Sequence, residues 1–121
     1  GALTGRFENS AILLLTTTGA RTGRIHTTPM MYTRYEEKLL VYASNAGAPK
    51  PPDWYANLRA HPRVTVEIGP ERYEATAQVT QGAERDRLFT RTLEDYPFFA
   101  EHQEQAGRQI PVVALDKLVT N

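Results

Sequence analysis

Residues 63–80, Arg63-Val64-Thr65-Val66-Glu67-Ile68-Gly69-Pro70-Glu71-Arg72-Tyr73-Glu74-Ala75-Thr76-Ala77-Gln78-Val79-Thr80, decide the fold class. Val64, Val66 and Ile68 alternate with polar residues, and beyond Gly69-Pro70-Glu71 the alternation resumes at Tyr73, Ala75, Ala77 and Val79. A period of two places all of these apolar side chains on one face of an extended chain. The stretch therefore predicts two strands, 63–68 and 72–80, joined as a hairpin.

Upstream, Ala11-Ile12-Leu13-Leu14-Leu15-Thr16-Thr17-Thr18 is β-rich and stops at Gly19, which predicts a strand buried on both faces and then a turn. Residues 27–33 and 38–43 predict a further hairpin across the charged turn Arg34-Tyr35-Glu36-Glu37, and Pro29 marks an edge, a bulge or a strand start. Gly47 and three prolines interrupt 44–52. Asp53 is suited to cap a short helix in which Trp54 and Leu58 share a face, and His61-Pro62 ends it. Downstream, Leu88, Phe89, Leu93 and Tyr96 form a helical stripe over 82–96, with Arg85, Arg91, Glu94 and Asp95 largely off it. Pro97 opens another helix to Ala106, Gly107 ends it, and 112–118 supplies a closing strand. Six short strands with a few helices read as a mainly β (α+β) antiparallel barrel, since closure removes exposed edges. With 121 residues and no linker-like tract, the expectation is a single domain over 1–121, with 1–10 as an N-terminal extension.

Fourteen basic residues balance fourteen acidic ones, so no overall field favours nucleic acid or an anionic bilayer, and any anion site must be local. Absence of cysteine removes disulfides, thiolate catalysis and sulfur-ligated metals. The longest apolar run, 11–15, is too short to span a bilayer. These features predict a cytoplasmic protein, with membrane contact only through a leader ahead of Gly1.

Three constellations can carry chemistry. Thr18-Gly19-Ala20-Arg21-Thr22-Gly23-Arg24-Ile25-His26 combines glycines, which let backbone N–H groups face an anion, with guanidinium forks that match phosphate oxygens. A solvated turn with ordinary surface arginines is the competing reading. Ala43-Ser44-Asn45-Ala46-Gly47-Ala48 is small enough for a flat ring to approach the backbone, and Trp54 could wall that pocket or simply fill the core. Tyr96, Phe99 and His102, at spacings of three, could line an aromatic acceptor site or dock their helix. His26, His61 and His102 fall in separate elements, which argues against a metal site, and no nucleophile elbow or carboxylate pair suggests hydrolysis.

Taken with Pro29, Pro52, Trp54-Tyr55-Ala56-Asn57-Leu58, Pro62-Arg63-Val64-Thr65-Val66, Asp95-Tyr96-Pro97 and Arg108-Gln109-Ile110-Pro111-Val112-Val113, these segments resemble the deazaflavin-dependent nitroreductase and quinone reductase family over nearly the whole chain. These are actinobacterial split β-barrel proteins that use the reduced deazaflavin coenzyme F420. The resemblance implies that Arg21, Thr22 and Gly23, helped by Arg24 and His26, hold the coenzyme phosphate. It also implies that Pro29, Met30 and Met31 border the ring, that Ala43, Ser44, Asn45, Ala46 and Gly47 pass close to its other side, and that Asp53 and Trp54 complete the cleft. Lys50 would lie along the anionic tail. Some relatives carry lysine where Asn45 stands and arginine where His26 stands, so less fixed positive charge is implied here. The implied acceptor is a quinone-like or nitro-aromatic small molecule touching Met31, Trp54, Tyr96, Phe99 and His102, with Tyr96 as first and His102 as second proton donor. Competing expectations are FMN in the same barrel and a non-enzymatic coenzyme carrier; the expected assembly is a monomer or homodimer. All of these depend on the turn around Arg21 and the segment around Ala46 converging on one ligand.

Overall fold

The computed structural model describes residues 11–119, so the expected extension at 1–10 lies outside the described residues. Six strands close an antiparallel barrel: β1 (Ala11–Thr18), β2 (Ile25–Tyr35), β3 (Lys38–Tyr42), β4 (Arg63–Ile68), β5 (Glu71–Val79) and β6 (Val112–Lys117), in the spatial order β1-β2-β3-β6-β5-β4. Three helices accompany them: α1 (Asp53–Ala60), α2 (Gly82–Asp95) and α3 (Phe98–Ala106). The ladders differ in length. β1 faces β2 over eight pairs and β4 faces β5 over six, whereas β1–β4, β2–β3 and β3–β6 are joined over three each.

Side-chain alternation divides the apolar residues into two cores. Leu13 and Leu15 of β1, Leu39 and Val41 of β3, Val64 and Val66 of β4, Ala75 and Ala77 of β5, and Val113 and Leu115 of β6 point into the barrel with Trp54 and Leu58 of α1. Leu40 and Tyr42 of β3 and Val112 and Ala114 of β6 point outward, where Leu88 and Phe89 of α2 and Phe99 of α3 cover them. β3 and β6 are thus buried on both faces. Each fully buried leucine in such a position contributes roughly 1.5–3 kcal/mol. In the outer core, the buried hydroxyl of Tyr42 lies 2.6 Å from both Thr33 Oγ1 and Thr92 Oγ1. Because Thr92 Oγ1 donates to Leu88 O at 2.8 Å, it accepts from Tyr42, which in turn accepts from Thr33.

Several expectations are corrected. β1 is buried on one face: Leu13, Leu15 and Thr17 point inward, while Ile12 and Leu14 are 57% and 37% exposed because no described helix covers that side. The β2–β3 turn is only Glu36-Glu37, at φ 55° and 64°. Both central residues take the left-handed conformation that a two-residue hairpin turn requires, here without the usual Asn or Gly, and so β2 continues through Tyr35. Pro29 lies in mid-strand, and of its three expected settings it takes the edge, in the part of β2 that pairs with β1 alone, where a missing N–H on the open side removes no ladder bond. Asp53 is the first residue of α1 rather than its cap, a position taken by Pro52. Arg85 is buried: its guanidinium donates to Ile110 O (2.7 and 3.2 Å) and Gln103 Oε1 (2.7 Å) and stacks on Phe89, which ties α2, α3 and the approach to β6 together.

Candidate functional site

The turn between β1 and β2 closes on itself. Gly19 N–H donates to Arg24 O (2.7 Å), Gly23 N–H donates to Gly19 O (3.0 Å) and Arg24 N–H donates to Thr22 Oγ1 (3.2 Å). A Cβ on Gly19 would lie 2.8 Å from Thr22 Oγ1, 3.2 Å from Arg24 O and 3.4 Å from His26 Nε2, so the turn in this form needs glycine there. Gly23, at φ +73°, takes the left-handed position. Arg21, Thr22, Arg24 and His26 are displayed around this loop and exposed. Among the described residues, neither arginine reaches a carboxylate within ion-pair distance.

Asn57 fixes the loop against α1. Its Oδ1 accepts from Ala20 N–H at 2.9 Å and its Nδ2 donates to Thr17 Oγ1 at 3.2 Å, in a setting where Asn57 is 8% exposed. Between loop and helix lies a cleft of about 620 Å³, lined by residues that include Arg21, Thr22 and His26 on one side and Asp53, Trp54 and Asn57 on the other. Its walls carry a guanidinium, an imidazole, two threonine hydroxyls, one carboxylate and the edge of an otherwise buried indole. The first turn of α1 opens on the same space and adds the partial positive charge of a helix N-terminus. The arrangement suits a ligand with an anionic group and hydroxyls.

The small-residue segment is built differently. Asn45 and Ala46 have φ of 49° and 54°, and Gly47 follows at 86° in a short 3-10 turn. Gly47 is buried against α3, where a Cβ would lie 2.7 Å from Gln105 Oε1 and 3.4 Å from His102 O. Asn45 Nδ2 donates to Lys50 O at 3.0 Å, and Arg108 binds the carbonyls of Ala43, Ser44, Ala48 and Pro49. Ala43 is fully buried and Asn45 and Ala46 are exposed. The segment leads into Asp53 and Trp54, but Ala43, Ser44, Asn45, Ala46 and Gly47 do not line the cleft beside Arg21, nor do Pro29, Met30 and Met31. Met30 packs against the inner core and Met31 against the outer one, since neighbours in a strand face opposite ways.

Tyr96 and Phe99 do not share a helix face. Tyr96 ends α2, with Pro97 between it and α3. Phe99 is 4% exposed and stacks on Tyr42 at 4.8 Å, so its ring belongs to the outer core and leaves little surface for a ligand. Phe98, 39% exposed, takes the outward position and contacts both Tyr96 (6.1 Å) and His102 (5.3 Å). His102 Nδ1 is buried without a hydrogen-bond partner among the described residues. A second groove, of about 750 Å³, lies at the far end of β2 between the Glu36-Glu37 turn and α2. Two of its three guanidiniums are engaged by carboxylates, Arg87 by Glu36 (2.9 and 3.0 Å) and Arg91 by Asp95 (3.2 Å), and the third, Arg34, lies over the Tyr32 ring, so its size does not make it the better ligand site.

The sequence profile described as F420H(2)-dependent quinone reductase matches residues 1–117. This chain belongs to that family. The F420H(2)-dependent quinone reductase Rv1261c of Mycobacterium tuberculosis is 39% identical over 108 residues, covering 87% of this chain and 72% of that protein. A solved F420-H2 dependent reductase, FDR-A, superposes with a TM-score of 0.77 at 37% identity over 88% of this chain and 94% of that one. Another solved relative, described as a domain-swapped dimer, has the same score and identity over 88% and 80%. The haem storage protein HutZ of Vibrio cholerae, at 14% identity and a TM-score of 0.69, shares the barrel fold alone.

As a member of the F420H(2)-dependent quinone reductase family, the chain is an oxidoreductase of the split-barrel type, and coenzyme F420 is the family's cofactor. Two residues of structural weight at this site, Asn57 and Arg108, stand in the sequence motifs without an assigned role. Their partners lie 37 and 40 residues away for Asn57 and 59 to 65 for Arg108, beyond any local signal. A polar residue one turn from Trp54, on the helix face that meets the barrel, was the only hint for Asn57. Among the described residues, no helix is long and apolar enough to cross a membrane.

Proposed function

We propose that this protein transfers a hydride from reduced coenzyme F420 to a quinone-like or nitro-aromatic acceptor, with the coenzyme phosphate held in the cleft between the β1–β2 turn and α1. The observation that carries this reading is the meeting of Arg21, Thr22 and His26 with Asp53 and Trp54 around one cleft. The donor set fits the group. Guanidinium, hydroxyl, imidazole and helix N-terminus all favour an anion, and about 620 Å³ is within the range of small-molecule sites. Asp53 can only accept while ionised, so it pairs with hydroxyl or ring N–H groups rather than phosphate.

When bound, the coenzyme supplies the hydride; the protein's part is placement. Arg21 and Thr22 bind the phosphate, with Gly23, Arg24 and His26 completing the loop. The edge of Trp54 would border the ring, which would extend beyond the cleft toward the turn at Ser44, Asn45 and Ala46, with Pro29, Met30 and Met31 of β2 on its other side. Holding donor and acceptor in near-attack geometry and excluding water can lower the barrier by roughly 7–11 kcal/mol without an acid or base. Tyr96 would be the first proton donor and His102 the second, both in contact with Phe98. A homodimer is proposed as the assembly, on the likeness to the solved domain-swapped dimer, and the mass in solution tests it.

Titration with coenzyme F420 and with FMN, following the fluorescence of Trp54, tests the site. Tighter FMN binding would overturn the coenzyme assignment. Reduced F420 oxidised only when menadione is added supports the reductase, whereas binding without acceptor-dependent oxidation would make the protein a carrier.

A further inference from the structure

Arg108 follows α3 directly after Gly107 and is half-buried. Its guanidinium donates through Nε to Pro49 O (3.1 Å), through Nη1 to Ala43 O (3.2 Å), and through Nη2 to Ser44 O (3.3 Å) and Ala48 O (3.2 Å). Four of the five N–H groups of the fork are therefore spent on the backbone of one loop. Among the described residues no carboxylate lies within ion-pair distance of it. With neutral carbonyls as its partners among the described residues, the guanidinium fixes how the peptide planes of the loop point.

In a planar trans peptide, the carbonyl of one residue and the N–H of the next point in opposite directions. With Ala43 O and Ser44 O turned onto Arg108, the N–H groups of Ser44 and Asn45 must point away from it. Neither finds an acceptor among the hydrogen bonds of the described residues, whereas Ala43 N–H binds Pro111 O and Gly47 N–H binds Ser44 O. Beyond them Asn45 and Ala46 carry left-handed φ, which disfavours residues with a Cβ and persists where the surroundings impose it. The same loop runs on into Asp53 and Trp54.

We infer that Arg108 is the positioning residue of this site: by gripping the 43–49 backbone it presents the N–H groups of Ser44 and Asn45 as fixed donors to an acceptor-rich, planar heterocycle. The inference rests on the proposed coenzyme site. It requires that coenzyme binding weaken when the fork is lost, while the acceptor is met as before once coenzyme is saturating.

The test compares the parent protein with Arg108→Gln and Arg108→Lys. Three readouts are used: F420 affinity from Trp54 fluorescence, kcat and KM for menadione at saturating reduced F420, and amide exchange across residues 44–48. Loss of about 1.4 kcal/mol of preorganised contact corresponds to about a tenfold weaker Kd, and this is the expected effect of Arg108→Gln. Faster exchange at 44–48 and an unchanged menadione KM should accompany it. Arg108→Lys, which keeps the charge but cannot span four carbonyls, should show the same weakening and serves if the glutamine variant does not fold. A folded variant with faster exchange but parental F420 affinity would overturn the inference and leave Arg108 a structural residue. Failure of the parent itself to bind F420 would instead remove the underlying site, and is seen before any variant is made.

Discussion

Asn57 Oδ1 lies 2.9 Å from the backbone nitrogen of Ala20, so a helix and a turn 37 residues apart in sequence are joined by one hydrogen bond beside the proposed coenzyme cleft. Asn57→Ala leaves the Ala20 N–H and the Thr17 hydroxyl without this partner in a mostly buried place. The cost expected is about 1–3 kcal/mol, together with weaker F420 binding because the basic turn is no longer held against α1. Urea unfolding and coenzyme titration of the same preparation check both. Parental coenzyme affinity would mean that the turn keeps its place without the tie.

Gly19→Ala separates turn geometry from global stability. The new methyl would press on Thr22 Oγ1, which can rotate away, and on Arg24 O, which belongs to the backbone and cannot move alone. The turn should open and phosphate binding weaken, while the barrel melts near the parental temperature. Equal F420 affinity in the variant would remove the turn from the binding site.

Tyr42→Phe is predicted to cost about 1–3 kcal/mol with no change in coenzyme affinity, because the lost hydroxyl lies in the outer core between Thr33 and Thr92, both buried. Burial pushes the Tyr42 hydroxyl above the ordinary tyrosine range, although its hydrogen bonds to Thr33 and Thr92 act the other way. A folded pKa raised above the unfolded value gives stability that is complete below the ordinary tyrosine pKa and lost as pH rises through the folded one. The phenolate absorbance that belongs to Tyr42, read as the difference between the parent and Tyr42→Phe, should therefore grow in step with unfolding at the alkaline end, and growth of that difference in a fully folded protein would contradict the buried network.

At the acid end, hydrogen bonds from Arg87 hold Glu36 below the usual carboxylate range, and those from Arg63 do the same for Glu74. The hydrogen bond from Tyr35, then those from Arg91, lower Asp95. Depressed folded pKa values give stability that is present above the unfolded carboxylate range and lost as pH falls through the folded values. All three carboxylates are exposed, so the effect should be small and reduced by salt. Melting temperature measured against pH at low and high ionic strength tests this; a decline on acidification that salt leaves unaltered would assign the acid sensitivity elsewhere.

Tyr96→Phe is expected to slow turnover with menadione and leave F420 affinity near the parental value, as a donor acting after hydride transfer would. Steady-state rates at saturating coenzyme decide it. Equal rates would take Tyr96 out of the reaction and leave it as packing at the junction of α2 and α3.

Much of the barrel could be read from residue alternation, because a strand reports its own period: Val64, Val66, Ala75 and Ala77 all point inward as the pattern requires. What the sequence concealed depended on partners. Whether Ile12 and Leu14 were covered depended on where the helices dock, and the uninterrupted run at 11–15 looked the same either way. Glu36 and Glu37 hid a tight turn because glutamate is not the residue that left-handed backbone usually selects. The basic turn and the Asp53-Trp54 helix start were recognisable as separate oddities, and the fold brings them to one cleft. Arg85, counted with the charged side of its helix, is held inside by Ile110 O and Gln103, a contact no helical period foretells.

The unequal ladders of the barrel have a kinetic consequence. Ribbons β1–β2 and β4–β5 join neighbours in sequence over many pairs, but the β1–β4 seam joins Leu15 to Val66 and is three pairs wide. Closing it takes loop entropy that the ribbons do not, so it should form late on the way to the native state.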